Sequence, residues 1–530
     1  MPANSTFEDH TEEHLLLLND AVDRTVANPT ASHCWLHLMV QVRAISRPDV
    51  LNGVLQTLVS LVPDQGLSGF YLATFLDTAT ADTKFLAKAV GFLKTITPQD
   101  PDRLAAFFHV ASQRALLYSD NRPTFTQTLS DMDLPDLSLL IGNHLTTRFA
   151  APPQARPMQQ IRKVAIIAPQ LSNPQHPPTQ MALDQAATLI QNDITVNLFS
   201  CQETVGPDFV HLMGTGAGNT PYGMNLAAWV QSVGAETKIH ASDQRFSLMR
   251  RWLDMLHSIV EFDPDLVVFV GLHSGLICPL YKTYPILGLG SNSISPMVPT
   301  DVWLTAQAGL ANTISRPWGG RFPESQAWYH PYRVRRKVIN GSFSWDSLGL
   351  GQDAVVLVSI GSHLDVSING IWAERMCAVM DKYPALVWLI VGGKGMLPPA
   401  LEMIQDRLRL IPYTPQALNI LGKSDIYVNP PVMGGGFSVA EAMSLGLPAL
   451  SFAETDGGDK VGSAAIAGMD EYFDRLEILI SNPGLRINIG KQMQQRFDAG
   501  LDLDLSGPSL LAACKLAVQR YHQRTISVTS

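Results

Sequence analysis

The chain has 530 residues, enough for two or three domains and a large hydrophobic core. Hydrophobic residues make up 46% of it and the formal net charge is -9, which argues against a disordered chain and against non-specific binding to nucleic acid or an anionic membrane. Five scattered cysteines without a C-x-x-C pair indicate free thiols rather than a disulfide framework or a zinc site.

The first residues, MPANSTFEDHTEEH, lack the basic start and apolar core of a signal peptide. No uninterrupted apolar run reaches the roughly 18 residues that a membrane-spanning helix needs. We therefore expect a cytoplasmic protein that is not an integral membrane protein and has no nucleic-acid partner.

Residues 1–155 have the periodicity of a helical accessory domain. Runs such as EEHLLLLNDAVDRTV and RLAAFFHVASQRALL place apolar residues three and four positions apart, with Pro and Gly between the runs. The pattern indicates stacked helical pairs. The Pro-rich stretch FAAPPQARPMQQ, residues 149–160, is typical of a linker.

Short apolar strands alternate with helices from RKVAIIAPQ onward, and a second such series begins near residue 354 with AVVLVSIG. This alternation predicts parallel sheets with helices on both faces. We therefore predict an α/β protein with two facing Rossmann-like, doubly wound lobes, residues 156–330 and 331–530, preceded by an all-helical domain. Such sheets bind ligands at the carboxyl ends of their strands, so the cleft between the lobes is the expected site.

A glycine-rich stretch in the second lobe, NPPVMGGGFSVAEAMSLGLPALSF at 429–452, joins a predicted strand to a predicted helix. Gly434, Gly435 and Gly436 let the backbone approach a ligand, and the start of a helix offers unpaired N–H groups to an anion. Ser438 is placed to cap the helix or to donate to the same anion. Glu441 would repel a phosphate, so it is better suited to the ribose hydroxyls of a nucleotide. A tight turn followed by a surface glutamate is the plainer interpretation.

This stretch resembles the donor-binding segment of GT-B glycosyltransferases, in which a Gly-rich turn meets the nucleotide-sugar phosphates and the Glu of an E-A-(M/L) run holds the ribose. The following ETDGGDKVGSAA, which contains Lys460, is similar to a loop beside the diphosphate. The layout over about 160–525 resembles the same fold, and the helical region before two lobes is similar to the protein-modifying transferases of family 41 and their bacterial relatives.

Two positions depart from these patterns. Met433 stands where many retaining enzymes of family 4 carry an acid, and the loop GSHLDVSING lacks the lysine of family 41 relatives. Phosphate charge would then be met by His363, Lys394, Lys460 or backbone N–H groups. The carboxylate pairs in DMDLPD and DLDLDL fall in helical or terminal segments, so we expect no metal site.

Three further turns that follow predicted strands of the second lobe supply donor-site candidates. They are GSH after the first strand, VGGKGM after the second and IPYTP after the third. The alternatives are a purely structural turn for GSH, a solvated lysine for VGGKGM and core packing of Tyr413 for IPYTP. The candidate donor-binding residues are Gly361, Ser362, His363, Lys394, Tyr413, Thr414, Gly434, Gly435, Gly436, Phe437, Ser438, Glu441 and Lys460.

Polar loops of the first lobe supply the candidates for catalysis and acceptor binding. His273 follows the predicted strand VVFVG, and similar enzymes often place a histidine there, where a neutral imidazole can take a proton from an acceptor hydroxyl. Asp301 is the alternative base, and a structural histidine is the plainer interpretation. His176 and Gln180, in the long polar loop PQLSNPQHPPTQ, are candidates for the acceptor side.

These patterns predict a metal-independent glycosyltransferase that moves a sugar from a nucleotide sugar to a protein, glycan or lipid-linked acceptor. The nucleotide sugar, UDP- or GDP-linked, is a co-substrate, no other cofactor is expected, and the helical domain is a candidate for selecting the acceptor. A nucleotide-sugar 2-epimerase and a non-catalytic partner-binding protein stay open as alternatives. No G-x-G-x-x-G follows a strand at the start of either lobe, which argues against a dinucleotide oxidoreductase.

Overall fold

The fold is known from a computed structural model. It describes residues 12–45, 47–80, 82, 84–96, 101–117, 119–149, 160–174, 176–203, 226–233, 237–339, 348–350, 354–362, 364–392 and 399–529. Within these ranges, no helix is both long enough and apolar enough to cross a membrane.

In the part of residues 1–155 that the structure describes, eight helices form the helical domain. Apolar residues at three- and four-residue spacing give the helices their buried stripes, and the side chain of Asn121 caps the seventh helix by accepting a 3.0 Å hydrogen bond from the Thr124 amide. The helices are α1 Glu12–Ala27, α2 Ser32–Arg43, α3 Pro48–Leu61, α4 Gly66–Thr80, α5 Lys84–Ile96, α6 Pro101–Leu117, α7 Arg122–Asp131 and α8 Leu134–Thr146.

The N-terminal lobe is built on an eight-stranded sheet in the order β3-β2-β1-β4-β5-β6-β8-β7, parallel except for the edge pair β7–β8. Its elements are β1 Lys163–Ile167, α9 Pro177–Ile190, β2 Thr195–Ser200, α10 Leu226–Val233, β3 Lys238–Ala241, α11 Leu248–Phe262, β4 Leu266–Val270, α12 Ile277–Tyr281, β5 Ile286–Leu289, β6 Val302–Thr305, β7 Ile314–Ser315, α13 Pro317–Gly320 and β8 Ser325–Tyr329.

The C-terminal lobe has a five-stranded parallel sheet in the order β11-β10-β9-β12-β13. Its elements are β9 Val355–Ile360, α14 Leu364–Ser367, α15 Gly370–Lys382, β10 Leu386–Val391, β11 Leu408–Ile411, α16 Ala417–Leu421, β12 Ile426–Val428, α17 Gly436–Ser444, β13 Ala449–Leu450, α18 Asp456–Val461, α19 Met469–Ser481 and α20 Pro483–Arg496, followed by α21 Ser506–Thr529. Two doubly wound lobes behind a helical domain are the fold class that the sequence predicted.

Alternate residues of the N-terminal lobe's central strands enter different cores. Val164 and Ile166 of β1 pack in a cluster with α9, whereas Ala165 and Ile167 belong to a cluster that also contains the core of the helical domain. Helices α8 and α12 approach so closely that a Cβ on Gly142 would lie 2.2 Å from Cys278 Sγ. The helical domain and the N-terminal lobe therefore share one continuous core.

The last helix, α21, packs on the N-terminal lobe although it follows the C-terminal lobe in the chain. The sequence assigned the C-terminal helices to the lobe 331–530, but Leu510, Ala513 and Ala517 of α21 are buried in the core of the N-terminal lobe. The chain therefore crosses between the lobes twice. The two crossings lie side by side, since Val334 N donates to Leu501 O (2.8 Å) and Leu503 N donates to Val334 O (3.2 Å).

Candidate functional site

The candidate site lies at the carboxyl edge of the C-terminal lobe's sheet. The chain turns there after each strand, and residues 429–435 form the turn that connects β12 to α17. We call Gly434, Gly435 and Gly436 the glycine turn. Polar ligands of doubly wound sheets bind at this edge because helix N-termini and strand ends converge on it.

Two of the three glycines are required by the local geometry. Gly435 has φ +86°, a conformation that side chains disfavour, and a Cβ there would lie 2.6 Å from Asn429 Oδ1. A Cβ on Gly436 would lie 3.0 Å from the carbonyl oxygen of Asp456. The turn is therefore packed directly against the first residue of α18, while Gly434 faces open space.

The amide groups of the glycine turn are open. No side chain caps α17, and none of the five amides from Gly434 to Ser438 donates a hydrogen bond to a described residue. Unpaired N–H groups at a helix start carry a partial positive charge. Five such groups in sequence form a surface suited to an anion with several oxygen atoms, such as a diphosphate.

Ser438 has a different position from the predicted cap. Gly435 is the N-cap residue, and the Ser438 hydroxyl lies three residues into the helix. It accepts a 2.8 Å hydrogen bond from Tyr427 Oη and lies within 3.3 Å of the carbonyl oxygens of Ile360 and Gly435. Its observed contacts therefore fix α17 to the ends of β9 and β12.

Glu441 faces a basic residue, Lys337, whose basic run the sequence suggested was a solvated face rather than part of the site. Its carboxylate forms an ion pair with Lys337, which lies in the first crossing between the lobes. The Glu441 side chain is 14% exposed and that of Lys337 is 38% exposed. The basic run YRVRRKVI at the lobe junction was the available signal, because it places a cation where the two lobes meet.

Lys460 lies inside the protein. Its amine donates to the carbonyl oxygen of Tyr332, and burial lowers the pKa of Lys460 to about 8 against the opposing charges of Asp456 and Asp459. Burial also raises the pKa of Asp456 to about 7, and its Oδ1 has no partner among the described residues. In this conformation the Lys460 amine is bonded to the protein's own backbone, at Tyr332, rather than free to bind a phosphate.

The remaining donor-site candidates have different degrees of exposure. Tyr413 is 66% exposed at the end of β11, so core packing does not account for it. Thr414 Oγ1 accepts a 3.1 Å hydrogen bond from the Gln416 amide. Gly361 and the exposed Ser362 follow β9 at the same edge. His363 and Lys394 lie outside the described residues, and Phe437 is half-buried in the first turn of α17.

His273 is buried beneath the helical domain. Its ring packs on Phe108 with centroids 4.5 Å apart, and its Nδ1 lies 2.6 Å from Ser138 Oγ. The Ser138 hydroxyl donates to the carbonyl oxygen of Met297, so His273 Nδ1 donates to Ser138 Oγ and the lone pair lies on Nε2. That atom has no partner among the described residues. Burial lowers the pKa of His273 to about 3, which keeps the ring neutral but makes it a weak base.

Asp301, the alternative candidate for the base, lies at the amino edge of the N-terminal lobe's sheet. It precedes β6, at the amino end of the strands, where it accepts a 2.8 Å hydrogen bond from the Ile286 amide and forms a 2.5 Å ion pair with Arg524 of α21. Asp301 therefore has a structural role: its ion pair with Arg524 holds α21 on the N-terminal lobe. The sequence could not predict this partner, which is 223 residues away.

The acceptor-side candidates lie at the start of α9. His176 is the N-cap residue, with Nδ1 3.5 Å from Thr179 Oγ1, and Gln180 follows in the first turn. Glu203, which the sequence analysis missed, lies at the end of β2 on the same edge. It is buried, and it accepts a 2.5 Å hydrogen bond from Ser274 Oγ. A single acid in a loop carries no sequence signal.

No protein-family model matches the chain, and no curated protein matches its sequence. Among solved structures, a mutant O-GlcNAc transferase from Thermobaculum terrenum is 11% identical, with a TM-score of 0.59 over 97% of this chain and 96% of its own. This likeness covers the helical domain and both lobes. The chain therefore has the GT-B fold, as the resemblance implied.

Two further structures match about two thirds of this chain. A glycosyltransferase from Rickettsia africae and TarM are each 10% identical, with TM-scores of 0.47 and coverage of 68% and 67% of this chain. These values are too low to support any further argument.

Proposed function

We propose that this protein is a nucleotide-sugar-dependent glycosyltransferase whose donor binds to the C-terminal lobe. The observation that carries the proposal is the row of five amides, Gly434 to Ser438, without acceptors in the described protein, at the start of a helix and at the carboxyl edge of the sheet. The GT-B fold of the whole chain supports the same assignment.

The diphosphate of the donor lies against the glycine turn in this proposal, and the Glu441 carboxylate accepts hydrogen bonds from the ribose hydroxyls. Lys337, already beside Glu441, supplies a cation close to the leaving diphosphate. The exposed ring of Tyr413 offers a surface on which the nucleobase can stack. We expect no metal ion to take part, because the N-terminus of α17 and Lys337 together neutralise the negative charge of the diphosphate.

The acceptor enters from the N-terminal lobe. Its hydroxyl oxygen attacks the anomeric carbon, the bond from that carbon to the diphosphate oxygen breaks, and the hydroxyl proton passes to a base. His273 Nε2 is the proposed base, because Ser138 leaves its lone pair on that atom. Closure of the lobes excludes water, which would otherwise compete with the acceptor.

A thermal-shift screen with UDP, GDP, CDP, ADP and dTDP tests the donor site. A nucleotide at about 100 times its dissociation constant stabilises the protein by about 2.7 kcal/mol. We expect Glu441→Gln to weaken binding of the ribonucleotide by about tenfold or more, as the loss of a hydrogen bond to a charged group requires. The same variant leaves binding of the 2′-deoxy form less affected.

If none of the five nucleoside diphosphates raises the melting temperature, the proposal is wrong and a non-catalytic partner-binding protein is favoured. Turnover of a sugar nucleotide to its 2-epimer without an acceptor would favour the epimerase instead. Release of the nucleoside diphosphate that depends on an added acceptor supports transfer.

A further inference from the structure

Arg122, the first residue of α7 in the helical domain, contacts both lobes at once. Its amide donates to the carbonyl oxygen of Glu454 (2.8 Å), and its guanidinium binds Asp459 Oδ2 (2.6 Å) in the C-terminal lobe. Its Nε donates to the carbonyl oxygen of Asn292 (2.8 Å) in the N-terminal lobe. The side chain is 7% exposed, so these contacts are made in a site largely closed to water.

The two loops that Arg122 joins hold strained backbone. Asn292, Ser293 and Glu454 all have φ between +56° and +60°, a conformation that non-glycine residues seldom adopt. The carbonyl oxygens of Asn292 and Glu454 are the acceptors of Arg122, and Ser293 Oγ donates to Asp459 Oδ2 (3.1 Å). Strained residues persist only where the surrounding contacts fix them, and such residues concentrate at functional sites.

The element held by Arg122 is the one that supports the glycine turn. Glu454 and Asp459 flank the start of α18, whose first residue, Asp456, donates its amide to the carbonyl oxygen of Met433 (2.9 Å). The Met433 side chain is completely buried in the core that the helical domain shares with the N-terminal lobe. The residue that precedes Gly434 is therefore bonded to α18, which Arg122 holds, and buried in the core that the helical domain shares.

We propose that Arg122 is a positioning residue of the donor site, which it serves by fixing α18 and, through α18, the glycine turn in the arrangement that binds the diphosphate. The inference rests on the proposed function, because it assigns the donor diphosphate to that turn. It makes the helical domain a structural part of the donor site, in addition to any role toward the acceptor.

The test compares Arg122→Ala with Arg321→Ala. Arg321 also joins the helical domain to the N-terminal lobe, through a 2.9 Å ion pair with Asp136, and its ion pairs and hydrogen bonds to described residues include none with the C-terminal lobe. Affinity for the nucleoside diphosphate that binds the wild-type protein best is measured by calorimetry, below the melting temperature of each variant. We expect at least a tenfold loss for Arg122→Ala and less than a twofold change for Arg321→Ala.

Two further measurements separate positioning from general loosening of the fold. Arg122→Lys, which keeps the charge but cannot reach both Asp459 and Asn292 O, should recover part of the affinity. Amide exchange at Val439 and Asp456, which donate to the carbonyl oxygens of Gly435 and Met433, should accelerate in Arg122→Ala and stay unchanged in Arg321→Ala. If Arg122→Ala does not fold, Asp459→Asn replaces it, because it weakens the same contact and leaves the two backbone contacts of Arg122 in place.

Unchanged nucleotide affinity in Arg122→Ala or Asp459→Asn would overturn the inference while the proposed function stands. An equal loss in Arg321→Ala would also overturn it, since the effect would then be general. A wild-type protein that binds none of the five nucleoside diphosphates would defeat the proposed function and this inference together.

Discussion

Glu203 is a buried acid whose environment favours the neutral form. Burial raises its pKa from 4.5 to about 7, in spite of hydrogen bonds from Ser274 and Gly275 that favour the charged form. The folded protein therefore holds a proton between these pH values that the unfolded chain releases. This contribution to stability is complete below about pH 4.5 and is lost as the pH rises through about 7.

We expect Glu203→Gln to remove that pH dependence. Relative to the variant, the wild-type free energy of unfolding should fall by on the order of 3 kcal/mol as the pH rises from 4.5 to about 8. Urea unfolding at several pH values measures the difference. Glu261→Gln, at an exposed position of α11, is the control. Parallel stability curves for wild type and Glu203→Gln would contradict the assignment.

Single residues divide clearly into those that the sequence could and could not place. The glycine turn and Glu441 form a local pattern, so their neighbourhood was predictable. Ser138, which fixes the tautomer of His273, belongs to the helical domain. Arg524, which forms an ion pair with Asp301, lies near the end of the chain. Contacts between distant residues leave no trace in a single sequence.

At the scale of elements, the turn between β12 and α17 depends on one glycine more than on its neighbours. Gly435 has a positive φ and no room for a Cβ, whereas a Cβ on Gly434 would contact nothing within 4 Å. The sequence predicted three equivalent glycines for ligand approach. The structure distinguishes them, because φ and close contacts are not visible in composition.

We expect Gly435→Ala to destabilise the protein by about 1–3 kcal/mol, through the left-handed backbone and the contact with Asn429. Gly434→Ala, the matched control, should leave the free energy of unfolding within about 0.5 kcal/mol of wild type. Thermal and urea unfolding measure both. Equal destabilisation by the two variants would show that the turn has a different conformation in solution.

At the scale of the molecule, the helical domain is joined to the N-terminal lobe by a common core rather than by a linker alone. The sequence predicted a helical accessory domain, followed by a Pro-rich linker at residues 149–160, as a candidate for selecting the acceptor. The shared cluster includes Leu137 and Ile141 of α8 together with Leu276 and Ile277 at the start of α12, so removal of the helical domain would expose a large apolar surface.

We therefore expect the helical domain and the N-terminal lobe to unfold in one cooperative transition, as measured by scanning calorimetry. A chain restricted to residues 150–530 should aggregate, because the apolar face that α6 and α8 cover would meet water. The intact chain is the control. A soluble 150–530 fragment with native circular dichroism, or two separate transitions in the intact chain, would contradict this expectation.

The order of strands and helices was predictable, because each βα unit is a local pattern with its own periodicity. The position of α21 was not. Its amphipathic pattern shows that it is a helix with one buried face, but nothing in the pattern says which of the two sheets receives that face. Only the three-dimensional pairing with β5, β6 and α9 decides it.

The return of α21 also determines when the protein can finish folding as it is made. β8 ends at Tyr329 and α21 ends at Thr529, so about 200 residues must still leave the ribosome after the last strand of the first sheet has been synthesised. At about 5–20 residues per second, that delay is roughly 10–40 s. Throughout it, the groove that will receive Leu510, Ala513 and Ala517 stays uncovered, which makes the nascent chain a natural client of chaperones.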